Sequence, residues 1–568
     1  MTDRPPGSDD TSSGPGGPAS GAPSGSGPWW QDCTGYAVYL PSFADADGDG
    51  RGDLDGVTAH LDHLADLGVD LVWVSPFHPS PGADNGYDVS DYDTVDPVAG
   101  GLDAVDRLLD AAHRLGMRVV MDLVPNHTSR AHPWFRAALA DPTGPYRDYY
   151  VWADPGPDGG PPNNWVSCFG GPAWTFDRTT RQYYLHLFLP EQPDLNWRNP
   201  AVVAHFDRIM DRWLDRGFDG FRIDVAQGLV KDAALRSNPV LAPFDPTAPR
   251  QAQWAAFEHR HDIVQPESLG VFRHWRRRCD GRGALLLGET SVDHAVQYGR
   301  LLPGDGLHLG FWLGLLHTGW DGESIRRAME GPLAAVTDPA SVAWVASSLD
   351  EVRAATRLGG GDEGRRRALA LATLLFCLPG VPFLYQGEEL GLLQGDVPAA
   401  WRHDPVGAEV SDGRDGCRTP MPWRPGPNFG FSTATRTWLP DGGRTDADTA
   451  TAQRGVAGSW YERYRALVRL RRATPALRQG PPPVWIDGGG TGLVAFRRGD
   501  WTVAANCAAT AVSLDVAGTV VFDSDRGSVT GEVGAGEVGA GEVGAGVAGP
   551  VVVAPGQALI VAPGDTAR

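Results

Sequence analysis

The feature of this chain that most restricts its fold is a series of eight short apolar runs separated by amphipathic stretches of helical spacing. In one such stretch, Leu102, Val105, Leu108 and Leu109 recur on a single helical face. The apolar runs are continuous rather than alternating, as expected for strands buried on both faces of a parallel sheet. Repeated β-α units predict an α/β fold, and eight of them favour a (β/α)8 TIM barrel over an open doubly wound sheet. The runs are 36–43, 71–77, 118–124, 218–225, 284–288, 307–313, 342–347 and 381–385.

Four segments lie outside the barrel pattern. Residues 127–197 follow the third strand and are rich in Pro, Gly, Asn and Trp, so we expect an inserted subdomain rather than one long loop. Short β-like runs predict an all-β sandwich over 479–568. Within it, a tandem Gly-Glu-Val-Gly-Ala repeat predicts a flexible loop over 531–549. The Gly/Pro/Ser-rich tail of residues 1–28 is expected to be disordered. The barrel would then comprise 29–126 and 198–478.

Composition and short motifs indicate which kinds of ligand the chain is not suited to bind and in which compartment it is expected to act. The formal net charge is −21, which disfavours binding to nucleic acid or to anionic lipid. We find no apolar leader and no apolar stretch of the roughly 18 residues needed to cross a membrane. The six cysteines are scattered without a Cys-x-x-Cys pair, which favours free thiols and a cytoplasmic protein. No Gly-x-Gly-x-x-Gly follows a strand, which argues against dinucleotide binding.

Three of the apolar runs end in an acid, namely Asp224, Glu289 and Asp350. The C-terminal strand ends of a TIM barrel converge on its active site, so these carboxylates are expected to meet. Retaining glycoside hydrolysis needs two carboxylates about 5 Å apart, and a third charge can stabilise the oxocarbenium-like transition state. Any one of these acids alone would more often be a helix cap or a surface group. Three of them at strand ends favour a glycosidase.

The segments around these acids resemble the α-amylase superfamily of glycoside hydrolases (glycoside hydrolase family 13), in its α-glucosidase/oligo-1,6-glucosidase branch. The resemblance runs in order through most of residues 29–475, and Gln192-Pro-Asp-Leu-Asn196 resembles a signature of the oligo-1,6-glucosidase group. The other matching segments are Asp122-Leu-Val-Pro-Asn-His127, Gly220-Phe-Arg-Ile-Asp224, Gly288-Glu289 and the segment that contains Asp350.

The resemblance implies catalytic roles. Asp224 would be the nucleophile, Glu289 the general acid/base and Asp350 the transition-state stabiliser. Arg222, two residues before Asp224 on the same strand face, would orient the nucleophile and lower its pKa. Glu289 must remain protonated until the nucleophile attacks. His127 would hydrogen-bond the sugar in subsite −1.

The resemblance also implies a closed pocket for a terminal glucose. In Asn85-Gly86-Tyr87-Asp88, Tyr87 would stack on the non-reducing glucose and Asp88 would bind its hydroxyls. Arg418 would pair with Asp88 and close the pocket behind that glucose. Such a pocket implies action at the chain end of short substrates.

The segment Asp45–Asp53 has acids at alternate positions and a glycine at its sixth position, which is oxygen-ligand spacing for a hard cation. It resembles the Ca²⁺-binding loop that follows the first strand in this branch. Side chains of Asp45, Asp47, Asp49 and Asp53, with the backbone carbonyl of Arg51, would bind a structural Ca²⁺ or Mg²⁺. The alternative is an acidic turn. Catalysis itself would need no cofactor.

One position departs from the family. The family reads Asn-His-Asp at the third acid, whereas this chain reads Ser348-Leu349-Asp350. The family histidine hydrogen-bonds sugar hydroxyls, and losing such a contact costs on the order of 10²–10³ in rate. The chain could therefore be a slow enzyme, act on another sugar or linkage, or be catalytically silent.

The sequence thus predicts a retaining α-glucosidase that hydrolyses terminal α-1,4- or α-1,6-linked glucose from short oligosaccharides. Val225, directly after the expected nucleophile, fits a family preference for α-1,6 linkages. A glucosyl transferase or isomerase on the same scaffold is the alternative enzyme. A non-catalytic carbohydrate-binding relative is the alternative from another class.

Overall fold

The computed structural model describes residues 27–406, 413–490, 492–528 and 546–563. The predicted tail up to residue 26 and the predicted repeat loop up to residue 545 lie outside these residues. Within them the strands are β1 (Gly35–Val38), β2 (Leu71–Val74), β3 (Arg118–Leu123), β4 (Trp152–Ala153), β5 (Trp174–Asp177), β6 (Gln182–Leu185), β7 (Gly220–Ile223), β8 (Leu285–Thr290), β9 (Leu309–Trp312), β10 (Val342–Val345), β11 (Val381–Tyr385), β12 (Val484–Ile486), β13 (Leu493–Arg498), β14 (Trp501–Asn506), β15 (Val512–Asp523), β16 (Gly527–Ser528), β17 (Gly546–Val553) and β18 (Ala558–Ala562).

Eight parallel strands form a closed barrel in the order β1-β2-β3-β7-β8-β9-β10-β11, with β11 pairing back to β1. Nearly every residue of these strands is buried, which explains why their sequences are continuous apolar runs. The predicted (β/α)8 barrel and all eight of its strands are confirmed. The first strand is shorter than predicted, because Pro41 lies in a 3-10 turn over Leu40–Ser42.

Most predicted helices are present, and their ends follow from capping residues. Asn199 caps α5 at its N-terminus, Pro200 is its first residue, and Gly217 ends it in a left-handed conformation. The segment 57–67 has apolar residues at helical spacing but forms two helices, because the backbone of His60 is non-helical. The helices are α1 (Leu54–Ala59), α2 (Leu61–Leu67), α3 (Gly101–Arg114), α4 (Pro133–Ala140), α5 (Pro200–Arg216), α6 (Arg250–Ala255), α7 (Ser268–Asp280), α8 (Ala295–Leu301), α9 (Gly322–Ala335), α10 (Ala354–Arg357), α11 (Gly361–Phe376), α12 (Ala450–Gln453), α13 (Trp460–Ala473) and α14 (Pro475–Gln479).

Two insertions lie at the C-terminal ends of the barrel strands. The predicted one follows β3 and contains α4 and a small antiparallel sheet, β4-β6-β5. Trp165 and Trp174 form its core together with Ile263, which belongs to the other insertion. That second insertion, between β7 and α7, includes α6 and was not predicted. The two insertions therefore pack on each other beside the mouth of the barrel.

The C-terminal all-β domain is confirmed. Its strands form one antiparallel sheet in the order β12-β13-β14-β18-β15-β16, with β17 pairing to β15. One face, which includes Phe496 and Ile560, joins the main core of the barrel. Leu514, Val551 and Val561 belong to a separate cluster on the other face. In the described part of the chain, no helix is long and apolar enough to cross a membrane.

Candidate active site

The three acids predicted at strand ends lie in one cavity of about 190 Å³ at the C-terminal end of the barrel. Asp224 directly follows β7, Glu289 lies near the end of β8, and Asp350 follows β10. Asp224 is almost fully buried, whereas the side chain of Asp350 is 38% exposed. Tyr87 and His127 also line this cavity. The barrel thus brings together most of the predicted site.

A single guanidinium connects two of the three strand-end acids. Nη1 of Arg222 lies 2.8 Å from Oδ1 of Asp224, and its Nη2 lies 2.9 Å from Oε2 of Glu289. Nη1 also donates to both oxygens of Asp122, at 2.8 and 2.9 Å. The hydroxyl of Tyr87 and Nε1 of Trp73 donate to Asp122 as well. Arg222 therefore orients the carboxyls of Asp224 and Glu289 together, while Asp122 holds Arg222 in place.

Arg222 has the predicted effect on the pKa of Asp224, but other groups outweigh it. Burial raises the pKa of the Asp224 carboxyl, and the neighbouring charge of Glu289 raises it further, although Arg222 lowers it. Burial likewise raises the pKa of Asp122, to about 6, against the opposing effect of Arg222. One cation is thus shared among three carboxyls, two of them buried, and cannot neutralise them all.

The residue after the nucleophile has a strained backbone. Val225 has φ 48° and ψ 45°, in the left-handed region that β-branched residues avoid. In this conformation its N–H donates to Oε2 of Glu289 at 3.0 Å. Strain of this kind costs on the order of 1–3 kcal/mol and is typical of functional sites. Here it adds a second donor that fixes the position of Glu289.

Asp350 is held by two arginines rather than by its neighbours in sequence. Its Oδ1 lies 2.8 Å from Nη2 of Arg418 and 3.2 Å from Nη1 of Arg414. Burial raises the pKa of this carboxyl, but Arg418, Arg414 and Arg222 together outweigh burial and lower it. Leu349 is buried and lines the cavity, and its carbonyl accepts a hydrogen bond from Nε of Arg418 at 2.7 Å. Asp350 therefore stays ionised although the family histidine is replaced by leucine.

The predicted pairing of Asp88 with Arg418 does not form. Asp88 is fully buried within its own loop, where it accepts hydrogen bonds from the Ser80 hydroxyl and from the N–H groups of Ala83 and Asp84. These three donors fold the turn around the carboxylate and draw it away from the cavity. Arg418 instead bonds to the end of β10, as described above. Asp88 and Arg418 therefore support the site without lining it.

Asp84 and Arg414 form the acid–arginine pair at the cavity that was predicted for Asp88 and Arg418. Both line the cavity, and Nη2 of Arg414 donates to Oδ1 of Asp84 at 2.6 Å. Asp404 also pairs with Arg414, and Gln192 donates to the other oxygen of Asp84. Asp84 stands in the same short acidic segment as Asp88, so the sequence signal was present but assigned to the wrong acid. The Asp84–Arg414 pair is thus part of the buried wall of the cavity.

His127 has protein partners at both ring nitrogens. Lys231 donates to Oδ1 of Asn126 and pairs with Asp194, which fixes the amide so that Nδ2 faces Nδ1 of His127 at 3.1 Å. Nε2 of His127 lies 3.1 Å from the carbonyl of Tyr87 and 3.0 Å from the amide nitrogen of Gln192. Burial lowers the pKa of His127 to about 3, so the ring is neutral. A sugar hydroxyl that bonds to Nε2 must therefore compete with these two protein groups.

Three of the predicted metal ligands lie close to one another, whereas the others make different contacts. Carboxylate oxygens of Asp45, Asp47 and Asp49 lie within 4.8 Å of one another. Burial and the neighbouring acids raise the pKa of Asp47, a repulsion that a bound cation would relieve. Asp53 instead caps α1, accepting from the N–H of Gly56 at 2.6 Å. The N–H of Arg51 donates to Asp49 at 2.7 Å. Three of the four predicted carboxylates thus fit a hard cation.

Comparisons with known proteins agree with this geometry. The catalytic-domain profile of the alpha-amylase family matches residues 37–480. A probable alpha-glucosidase of Rhizobium meliloti strain 1021 is 40% identical over 467 residues, which are 80% of this chain and 84% of that protein. The oligo-1,6-glucosidase of Heyndrickxia coagulans is 34% identical over 499 residues, covering 80% and 86% of the two chains.

Solved structures share the whole architecture. The alpha-glucosyl transfer enzyme XgtA superposes with a TM-score of 0.85 at 38% identity, covering 94% of this chain and 100% of that one. The trehalulose synthase MutB of Pseudomonas mesoacidophila MX-45 superposes with a TM-score of 0.82 at 28% identity and the same coverage. The match spans both the barrel and the C-terminal domain. The chain therefore belongs to the alpha-amylase family and is a glycoside hydrolase of its α-glucosidase/oligo-1,6-glucosidase branch.

Proposed function

We propose that this protein is a retaining α-glucosidase that removes terminal glucose from short oligosaccharides with α-1,4 or α-1,6 linkages. The observation that carries this proposal is the bridge from Asp224 through adjacent nitrogens of Arg222 to Glu289. Two carboxyls on one guanidinium fit the roughly 5 Å spacing of retaining enzymes better than the roughly 6.5–9.5 Å spacing of inverting ones.

The reaction would proceed in two displacements. In the first, Asp224 attacks the anomeric carbon while Glu289 gives its proton to the leaving oxygen, so the glycosidic bond breaks as the Asp224–glucosyl ester forms. In the second, Glu289 takes a proton from water, which attacks the same carbon and releases Asp224. Asp350, ionised between Arg418 and Arg414, would stabilise the positive charge that develops on the ring in both transition states.

The shape of the cavity supports action at a chain end. The Asp84–Arg414 pair is part of the buried wall of the cavity, which Tyr87 also lines with its hydroxyl bonded to Asp122. A glucose bound against this pair would have no room for a further sugar on its non-reducing side. Starch-like chains would therefore be cut only at their ends.

A mechanism-based probe tests this proposal. An activated 5-fluoro-α-glucosyl fluoride should leave a covalent glucosyl adduct on the peptide that contains Asp224, detected by mass spectrometry. The Asp224→Asn variant is the matched control and should acquire no adduct. Proton NMR of maltitol hydrolysis should show α-glucose as the first product, because the alditol that leaves has no anomeric carbon. First formation of β-glucose from maltitol, or labelling elsewhere than Asp224, would overturn the retaining assignment.

Transfer or isomerisation on the same scaffold is the second candidate. The observation in its favour is the close superposition on an alpha-glucosyl transfer enzyme and on a trehalulose synthase. Both reactions share the glucosyl-enzyme and differ in whether water or a sugar hydroxyl attacks it. Chromatography of the products from maltose, isomaltose and sucrose separates them. New disaccharides in place of free glucose would assign transfer.

We also propose that Asp45, Asp47 and Asp49 bind a structural Ca²⁺, or Mg²⁺ in its absence. The converging carboxylates support this, as does the raised pKa of Asp47. Millimolar Ca²⁺ should raise the Tm of protein pretreated with a chelator, and Asp47→Asn should remove that rise. Equal Tm values with Ca²⁺ and with chelator would leave this segment an acidic turn.

The protein is further proposed to act in the cytoplasm. All six cysteines lie in described residues and are free thiols, four of them buried, as suits a reducing compartment. Cell fractionation with an activity assay tests this location. Activity recovered chiefly outside the cytosolic fraction would contradict it.

A further inference from the structure

One arginine in the catalytic cavity differs from the others in its partners. Arg222 and Arg414, which also line the cavity, are each bonded to carboxylates. Arg250, the first residue of α6, lines the same cavity, yet its guanidinium has no hydrogen-bonded acid among the residues that the structure describes. A guanidinium offers five N–H donors and no acceptor. In a chain of net charge −21, a guanidinium that lines the cavity without a hydrogen-bonded acid among the described residues is available to bind a ligand.

The neighbourhood of Arg250 carries an excess of basic groups. Glu351 lies near Arg250 in the wall of the cavity, here called the Arg250 rim. Burial and the charge of Asp350 raise the pKa of Glu351, although His317, Arg250 and Arg357 lower it. Arg357 bonds only to backbone carbonyls, those of Ala346 and Leu315, so its charge is not neutralised by a hydrogen-bonded acid among the described residues. Glu351 therefore has three basic neighbours and one acidic neighbour, Asp350, which is already bonded to Arg414 and Arg418.

Arg250 is the guanidinium of this cavity that remains for the leaving part of the substrate. Under the proposed function, Asp84 and Arg414 hold the non-reducing glucose, and Arg222 holds the carboxyls of Asp224 and Glu289. Arg250 is the third arginine among the described residues that line the cavity. Since the other two guanidiniums are bonded to acids, Arg250 is the one left to recognise the aglycone.

We infer that Arg250 is a specificity-determining residue that binds an anionic group, a carboxylate or a phosphate, on the aglycone of the substrate. The planar guanidinium can bond either group through two parallel N–H donors. The charge of Arg357 also favours an anionic group, whereas the carboxyl of Glu351 opposes one. This inference rests on the proposed glucosidase function, since it names the substrate class of the same site.

Matched substrates test the inference without changing the leaving hydroxyl. Maltitol and maltobionate share one α-1,4-glucosyl bond and differ in an alcohol against a carboxylate at the far end of the aglycone. Maltose and maltose carrying a phosphate on its reducing glucose form the second pair. The quantity compared is the ratio of kcat/KM, anionic over neutral, within each pair. We expect at least one ratio to be about 10- to 100-fold, the effect of a hydrogen bond to a charged group.

Two variants assign the effect to the Arg250 rim. Arg250→Gln should bring the ratio down to about one, and Glu351→Gln should raise it above that of the unmodified enzyme. The pair showing the preference distinguishes a carboxylate from a phosphate ligand. Because Arg250 is partly exposed and makes no hydrogen bond that the fold requires, Arg250→Gln should retain the Tm of the parent protein.

A binding measurement separates this inference from the proposed function. Calorimetry in the Asp224→Asn background gives Kd for the same four ligands, with and without Arg250→Gln, whether or not turnover occurs. Equal affinity for anionic and neutral members of both pairs, or a preference that persists in Arg250→Gln, would overturn the inference. Failure of the parent protein to cleave maltitol or maltose, with the binding preference intact, would instead count against the glucosidase.

Discussion

Replacing Asp84 by asparagine should impair glucose recognition far more than the same replacement at Asp88, four positions later. Asp84 lines the cavity, with its Oδ1 2.6 Å from Arg414 and its Oδ2 3.1 Å from Gln192. Asp88 faces its own turn and accepts from Ser80 at 2.6 Å and from two backbone N–H groups at 3.0 Å. The two residues carry the same carboxylate, but one lines the cavity and the other is enclosed by its own turn. Each substitution is therefore a matched control for the other.

The magnitudes follow from the bonds that each change removes. Asp84→Asn removes the charged acceptor offered to a sugar hydroxyl, at a cost of about 1.5–3 kcal/mol or roughly 10- to 150-fold in kcat/KM. Asp88→Asn leaves one buried backbone N–H facing an amide donor, which destabilises the fold by about 1–3 kcal/mol. In a chain of this size that lowers Tm by a few degrees while kcat/KM stays near that of the parent.

The assay is initial-rate kinetics on maltose below KM, together with thermal unfolding of both variants. A low kcat/KM is expected for Asp84→Asn, with a lower Tm as well because the buried pair with Arg414 loses its charged acceptor. Asp88→Asn should lower Tm and leave kcat/KM near that of the parent. If Asp88→Asn loses the larger part of kcat/KM at an unchanged Tm, then Asp88 faces the sugar. The geometry of the Asp84–Arg414 pair would in that case not describe the substrate pocket.

Three further predictions concern rate, pH and stability. Leu349→His should raise kcat on maltose, since it restores a donor beside Asp350; a fall would show a pocket adapted to leucine. Arg471→Met should lower Tm and leave kcat/KM at 25 °C intact, because the Arg471 side chain donates to buried carbonyls within 376–380; an unchanged Tm would contradict this. Lowering the pH from 7 to 5 should lower Tm. Below a pH of about 6.5, the free energy of unfolding should fall by about 1.4 kcal/mol per pH unit for each histidine that is neutral when folded and protonated when unfolded. The raised pKa values of Asp122, about 6, and Glu388, about 8, offset part of this loss because they act in the opposite sense. A Tm that is constant or rises toward pH 5 would refute the assignment to buried histidines whose folded pKa is about 3 or 4, below their usual 6.5: His78, His127, His132, His186 and His308.

The barrel could be predicted because its strands are buried on both faces. Strands buried on both faces need apolar residues at every position, and such continuous runs are recognisable in a sequence. The errors lie where local geometry competes with periodicity. The run 36–43 continues past β1 in hydrophobicity, yet Pro41 places Leu40–Ser42 in a 3-10 turn. The period of 57–67 is helical throughout, yet His60 leaves the helix and its ring packs against Trp423, with centroids 3.8 Å apart.

The positions of the three strand-end acids and of Arg222 beside Asp224 could be predicted, whereas the partners of Asp84 and Asp88 could not. A strand end fixes where Asp224, Glu289 and Asp350 lie, because topology alone carries them to the mouth of the barrel. Which acid of a loop faces the cavity depends on which backbone N–H groups turn toward it, and that is set by the folded loop. Arg250 is a stronger case, because it reaches the cavity from an insertion that shows no periodic pattern.

The replacement of the family histidine by Leu349 can now be judged by what surrounds Asp350. If the histidine were needed to keep this acid charged, its loss would favour a silent protein. Here the charge is maintained by Arg418 and Arg414, which lower the pKa of Asp350 despite burial. Leu349 contributes through its backbone carbonyl, which any residue at this position supplies to Arg418. The substitution therefore removes one donor to the sugar and leaves the three carboxylates and their cations in place, which favours a slower enzyme over an inactive one.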